Sequence, residues 1–297
     1  MSKFLELLPW RQEPSSFDAK LRTRSKSWTL LAGAAVALII WEVAAQIIGR
    51  SGPQAAQVMP PLLTVATDGF LGLSNFFKGG FGVEPTAQGG EPSFVGGALA
   101  LVTNGWVTLW RVLVGLLGGA ILGVALGLLV SGLRPLRYGM TGIAELMRML
   151  PTLAMAPLFT LWFGAASSAS VIFIIFGVTF IMFVAVTNAV RNIPPTVIEY
   201  PRTLGVRGTT MSLKVVLPAI LPEIRGPLTF AGLIAWTSSL ASELYGIQSG
   251  LGWMLGETLR FSLVDQMVVI AVVFSALALA TMRALSWLMT KATVWND

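Results

Sequence analysis

The stretch WVTLWRVLVGLLGGAILGVALGLLV, residues 106–130, decides the class of fold. Its only charge is Arg111, and glycine recurs at 115, 118, 119, 123 and 127. About 20 apolar residues carry a helix across the hydrocarbon core of a bilayer. Small residues spaced four apart let a second helix approach closely. The stretch therefore reads as a transmembrane helix with a packing stripe, the partner being another helix of the chain or another subunit.

Working outward, apolar runs recur at 28–49, 138–163, 171–189, 226–245 and 266–289. With 106–130 they make six spans, and the expected fold class is all-α, a polytopic membrane protein with six transmembrane helices. The third span contains Pro151 and Pro157. Such breaks are tolerated where neighbouring helices or water satisfy the freed carbonyls, so a packing kink and a helix lining a path both explain them. Composition agrees, with 55% hydrophobic residues, 11% charged residues and a mean hydropathy of +0.76. A soluble domain carries about 25% charged residues, and here lipid replaces the missing polar coat.

Lysine and arginine set the orientation. Residues 1–27 hold Lys3, Arg11, Lys20, Arg22, Arg24 and Lys26, whereas the loop after the first span holds only Arg50 and Lys78. Arg134 and Arg137 follow the second span, and no basic residue follows the third. Arg191, Arg202, Arg207, Lys214 and Arg225 follow the fourth, Arg260 the fifth, and Arg283 and Lys291 lie at the end. The alternation places both termini in the cytoplasm of a bacterial inner membrane. The net charge of +6 is then a topology signal rather than a nucleic-acid footprint.

The expected organisation is a cytoplasmic tail 1–27, a first helix 28–49, an extracytoplasmic loop 50–100, a five-helix core 101–291 and a cytoplasmic tail 292–297. Glu6, Glu13 and Asp18 make the tail unlike a signal-peptide n-region. Proline and glycine pairs punctuate the long loop, with room for a short interfacial helix at 62–77.

The chain has no cysteine and no histidine. Disulfides and thiolate metal sites are excluded, and so are the commonest general base and metal ligand. No Gly-x-x-x-x-Gly-Lys-Ser/Thr loop is present to cradle phosphates. A membrane enzyme would need polar catalytic residues clustered at one interface, and the carboxylates here are scattered. A secondary transporter or channel, the alternative reading, predicts an inverted repeat and midplane ion ligands, and no convincing repeat is present.

Glu42, Arg111, Glu145, Arg148 and Glu243 lie within or near spans. Each costs about 2.5–3.5 kcal/mol at a helix centre, so each is expected to meet a partner or water. Glu145 and Arg148, three apart, are expected to pair. Arg111 suits a planar oxyanion, which a guanidinium grips with two parallel bonds, or else anchors its helix at the outer interface. Glu243 would repel an anion, and a structural hydrogen-bonding role is expected for it. Arg111, Arg148, Pro151 and Glu243 are the candidate translocation-path residues.

The cytoplasmic loop 191–225 is long for a connector yet not disordered in composition. Pro194-Pro195 stops the preceding helix, and Glu199 is expected to open another with Pro201 in its first turn. Gly205 permits a close approach or a bend. Residues 211–217 read as a short amphipathic helix along the membrane face, ended by Pro218 and Pro222.

Glu199-Tyr200-Pro201, then Gly205, then Val215-Val216-Leu217-Pro218 resembles the permease motif of binding-protein-dependent ABC importers. That motif reads Glu-Ala-Ala, three residues, Gly, nine residues, an aliphatic residue, any residue, Leu-Pro. Both spacings match, and the departure is Tyr200-Pro201 in place of Ala-Ala. Residues 144–164, with Leu161-Trp162-Phe163-Gly164, and Ser249-Gly250-Leu251-Gly252 resemble the nitrate, sulfonate, taurine and bicarbonate branch. The resemblance implies a type I ABC importer permease fold and import of a small anion. It implies that Glu199, Tyr200, Pro201, Gly205, Val215, Leu217 and Pro218 couple to a separate ATP-binding cassette subunit. That subunit would bind ATP and magnesium, with no cofactor on this chain. An extracytoplasmic substrate-binding protein and a second copy of the permease complete the implied assembly.

Overall fold

Long apolar runs without breakers become helices, and proline pairs and glycines mark where the chain turns. The computed structural model describes residues 16–52 and 58–293, and its regular elements are all helical. The chain divides into two compact units, Met1–Thr64 and Val65–Asp297.

In the first unit α1 spans Ser16–Gly49. It begins inside the basic segment expected to be a tail, because nothing between Ser16 and Trp28 breaks a helix; residues 1–15 lie outside the described residues. Glu42 meets the partners its position demands. Its Oε2 accepts from the Leu62 backbone N–H at 3.0 Å and its Oε1 from Gln46 Nε2 at 3.1 Å. Trp41 Nε1 donates to the Pro60 carbonyl at 3.1 Å. The chain thus folds back on α1, and a helical turn, Leu62–Thr64, ends the unit.

The second unit opens with a π turn, Val65–Gly69, an α turn, Phe70–Gly72, and a 3-10 turn, Leu73–Phe76. The expected interfacial helix is thus present, helical without a break over 65–76 in this unit but mixed in register. Helix α2, Phe94–Ser131, starts earlier than the expected end of the long loop, because Ser93 caps it by accepting from Gly96 N–H at 3.0 Å. Then come α3 (Arg134–Met149), α4 (Thr152–Phe163), α5 (Ser167–Asn192) and α6 (Pro195–Thr203). They are followed by α7 (Leu217–Tyr245), α8 (Leu251–Arg260) and α9 (Val264–Ala292).

Leu31–Gly49 of α1, α2, α5 and α9 are each long and apolar enough to cross a membrane. The expected third span is instead a bent pair, α3 and α4, turned by 97° at Leu150-Pro151. A residue before proline is pushed to extended backbone, which ends α3 there. Pro157 sits inside α4 without ending it. The remaining expected span is the last two-thirds of α7. Its serines and Glu243 lower its apolarity, and Ser238, Ser239, Ser242 and Glu243 are buried against the protein.

The main core lies between α2, α5 and α7, with Val112, Leu116, Ile174, Val178, Ile220 and Trp236 buried. The glycine stripe of α2 makes it possible. A Cβ on Gly115 would fall 2.5 Å from Ile174 Cβ, and one on Gly123 would fall 2.6 Å from Met182 Cβ. One on Gly119 would fall 2.6 Å from Val178 Cβ, and one on Gly127 would fall 2.7 Å from Val186 Cγ1. No methyl fits at such distances, so the stripe is explained by packing within one chain. A second apolar cluster joins the start of α2 to the 73–77 turns, α8 and the start of α9 through Leu73, Ala100, Leu251 and Ile270.

Overpacking a core costs about 1–3 kcal/mol. Gly123→Leu is therefore expected to lower the melting temperature of the detergent-purified chain by several degrees, read from thermal loss of monodisperse protein. Gly142→Ala, where an added Cβ meets nothing within 4 Å, is expected to leave it unchanged.

Candidate functional site

The loop after α5 holds its own shape. Helix α6 starts at Pro195, earlier than expected, because proline is well suited to the first helical position. Glu199 consequently lies mid-helix, and Pro201 falls in the last turn rather than the first. Beyond it the Gly205 N–H donates to the Arg202 carbonyl and the Val206 N–H to the Pro201 carbonyl, both at 3.0 Å. With Gly205 at φ +83° this is a complete Schellman cap, in which a left-handed residue closes the free carbonyls of the helix end. The glycine serves a bend, since a Cβ there would meet nothing within 4 Å.

A helical turn, Gly208–Met211, leads into a π turn, Ser212–Val216, and directly into α7. Pro218 and Pro222, expected to end this segment, do not. Leu217 N–H bonds five residues back to the Ser212 carbonyl. The register has widened just where Pro218 has no N–H to give and its ring would strike a carbonyl four residues back. The buried side of the loop, with Met211, Val216 and Ile220, packs on α5. Val215, Leu217 and Pro218 are half-buried at its edge, and Pro201 is half-buried on α6. Glu199 and Gly205 are exposed, as are Tyr200, Leu204 and Leu213 at 70%, 68% and 59%. An otherwise basic loop thus presents a small apolar outer face.

At the far end of α7 lies a buried polar knot. Arg111 and Glu243, each 1% exposed, form an ion pair at 2.8 Å between Nη1 and Oε1. Arg111 Nη1 also donates to the Ser249 carbonyl at 2.9 Å, and Nη2 to Ser167 Oγ at 2.9 Å and Ser249 Oγ at 2.6 Å. Glu243 Oε2 accepts from Thr108 Oγ1 and from Gly252 N–H, both at 2.9 Å. Arg111 is therefore committed to protein partners rather than presented to an oxyanion, and Glu243 has the hydrogen-bonding surroundings expected of it. Removing one partner of such a pair costs about 3–5 kcal/mol, because the other charge is left buried alone.

Arg148 stands elsewhere. Among the described residues it forms no ion pair with Glu145, and both side chains are exposed. Their expected pairing is not made: both charges reach solvent, where an ion pair gains little. Arg148 lines a cavity of about 530 Å³ between α3, α4, α5 and α7. One face of α5 meets the glycines of α2 with Ile174, Val178 and Met182, while Phe173, Gly177, Val184 and Asn188 line the cavity. Leu150 and Thr152 also line it, so the bend flanking Pro151 opens onto it. Its wall is apolar save for Arg148, Asn188 and Thr152. Among the described residues no group of three acidic, histidine or cysteine side chains could hold a metal.

Sequence reasoning flagged Arg111 and Glu243 but not their union, and missed Asn104, Thr108 and Asn188. The four-residue spacing of Asn104 and Thr108, which puts both on one face of α2, was the available signal.

Comparison with known proteins places these features in a family. A Bacillus subtilis (strain 168) protein named for aliphatic sulfonate transport, the permease SsuC, is 28% identical over 264 residues, covering 89% of this chain and 86% of its own. The taurine transport system permease protein TauC of Escherichia coli (strain K12) is 26% identical over 190 residues, covering 64% and 69%. The solved inward-facing MetNI methionine ABC transporter shares the fold at a TM-score of 0.50 and 22% identity, covering 62% of this chain and 95% of that one. Residues 115–293 match the family described as binding-protein-dependent transport system inner membrane component, and the chain belongs to that family, as the permease component of an ABC importer.

Proposed function

We propose that this permease imports a small anion, with an aliphatic sulfonate or taurine as the first candidates and nitrate and bicarbonate as the others of the class. Two copies form the pore, both termini face the cytoplasm, and a substrate-binding protein delivers the anion from outside. A separate subunit binds ATP and magnesium and hydrolyses the ATP. The names of the relatives SsuC and TauC support the substrate class.

The observation that carries the reading is the self-capped segment 195–206, with Tyr200 and Leu204 exposed upon it and Leu213 exposed on the π turn beyond. Tyr200 and Leu204, four apart at the end of α6, share one face, and an exposed apolar patch rimmed by polar residues marks a protein contact. Glu199, Tyr200, Pro201 and Gly205 form the contact, while Val215, Leu217 and Pro218 brace it against the membrane core. The cavity beside Arg148 is the translocation path, with Pro151 setting its bend. Arg111 and Glu243 belong to the path as its frame, through the knot they form. A guanidinium on an otherwise apolar wall offers an anion a planar, two-pronged hydrogen-bonding partner.

A tagged chain purified in mild detergent from its native host is expected to bring down an ATP-hydrolysing subunit. Leu204→Asp is expected to reduce recovery of that subunit by about tenfold, as the loss of a central contact does. Non-glycine residues at positive φ cost about 1–2 kcal/mol, and asparagine is the one that tolerates it best. Gly205→Leu is therefore expected to abolish recovery and Gly205→Asn to retain most of it. Absence of any ATPase from the unaltered chain, even after cross-linking, would favour an ATP-independent secondary transporter instead.

In proteoliposomes holding the assembled importer, Arg148→Gln is expected to lower uptake of labelled taurine by about tenfold, the worth of one charged hydrogen bond. ATP hydrolysis without taurine is expected to be unchanged, and Arg148→Lys to recover part of the uptake. Unaltered uptake by Arg148→Gln overturns the path assignment.

A further inference from the structure

The polar knot does more than satisfy two charges. The first N–H groups of a helix have no partner within it, and at the start of α8 three N–H groups find theirs on other elements. Gly250 N–H donates to Asn104 Oδ1 and Leu251 N–H to Thr108 Oγ1, both at 2.9 Å, while Gly252 N–H donates to Glu243. Asn104, Thr108 and Arg111 stand on one face of α2 at helical spacing. Arg111 reaches from there to Ser249 and to Ser167 at the start of α5. Polar bonds from α2, α5 and α7 thus anchor turn 246–250 and the start of α8, beside the apolar packing of Leu251 and Met254.

The same α7 that supplies Glu243 runs back to the loop at the opposite face. Its three prolines, 218, 222 and 227, all lie in its first half, and from Leu228 to Tyr245 the helix is uninterrupted. The knot also retains a spare donor, since Arg111 Nε is buried without a hydrogen-bond partner among the described residues. Buried ion pairs are poor stabilisers compared with well-packed apolar residues, and their best-attested use is to fix a register or a switch.

We propose that Arg111 and Glu243, with Thr108, are positioning residues for transport: they tie turn 246–252 to the end of α7, so that movement of the loop at the other end of that helix is delivered to the opposite mouth. The proposal rests on the importer reading above. Within it the knot is the fixture that makes one rigid body of the upper part of α7 and the start of α8.

The cysteine-free chain supplies a clean probe. Gln248→Cys places one thiol on the exposed turn, and the complex with its ATPase subunit in nanodiscs is labelled with a maleimide, with and without ATP plus vanadate. The labelling rate is expected to change by about fivefold or more on trapping, within the usual range of coupling between sites. Thr108→Val, which leaves both charges in place, is expected to abolish that response while the ATPase subunit stays bound and is still trapped. Thr108→Ser is expected to restore it. Ser249→Ala, which removes one acceptor of Arg111 and no helix cap, serves the same test should Thr108→Val fail to assemble. A response equal to the parent's in these variants overturns the proposal, as does a parent chain that traps nucleotide with no change at the thiol. Failure of any ATPase to purify with the parent is a different result and overturns the importer reading itself.

Discussion

Two helices in lipid gain nothing from hiding apolar surface, because the surrounding tails are as apolar as leucine. What holds α2 to α5 is the closeness of their approach, with four glycines facing Ile174, Val178, Met182 and Val186. Everything else takes its place from that contact. It fixes the height at which Arg111 meets Ser167 and Glu243. It also decides which side of α5 is left over, and that side, through Phe173, Gly177 and Asn188, walls the cavity. One helix thus divides its circumference between assembling the protein and lining a space within it.

Polarity is distributed accordingly. The serines and the carboxylate of α7 are buried, with Ser242 and Ser170 hydrogen-bonded at 2.6 Å. Outward-facing threonines such as Thr103 and Thr237 return their hydroxyls to carbonyls of their own helix. A count of apolar residues alone ranks α7 below the other spans, yet its polarity is the reason it sits inside the molecule. The inner membrane location follows from the family, and the helices of length sufficient to cross agree with it.

Much of this was legible beforehand, and the remainder was hidden for definable reasons. Uninterrupted apolar runs disclose spans because length and composition are local properties. The need of Arg111 and Glu243 for partners is equally local, but their meeting spans 132 positions of sequence and depends on the packing of three helices. Pro194-Pro195 ends α5 as expected, and its second proline also begins α6, a double role that the residue type alone leaves open. Pro218 was read as an end because the π turn that accommodates it is a cooperative adjustment of backbone, with no residue type to announce it. At Leu150-Pro151 the position of the break was visible, while the 97° angle is set by what α3 and α4 lie against.

The cap at Gly205 has a consequence for recognition. A segment that must order itself upon a surface gives up conformational entropy there, about 1–2 kcal/mol for each residue whose backbone becomes fixed. Residues 195–206 have already made that sacrifice during folding, through bonds from Gly205 and Val206 to Arg202 and Pro201. A partner seating on this loop meets a preformed surface, so a small apolar contact goes further toward binding. Under the proposed docking role, loop and partner would separate without this loop unfolding.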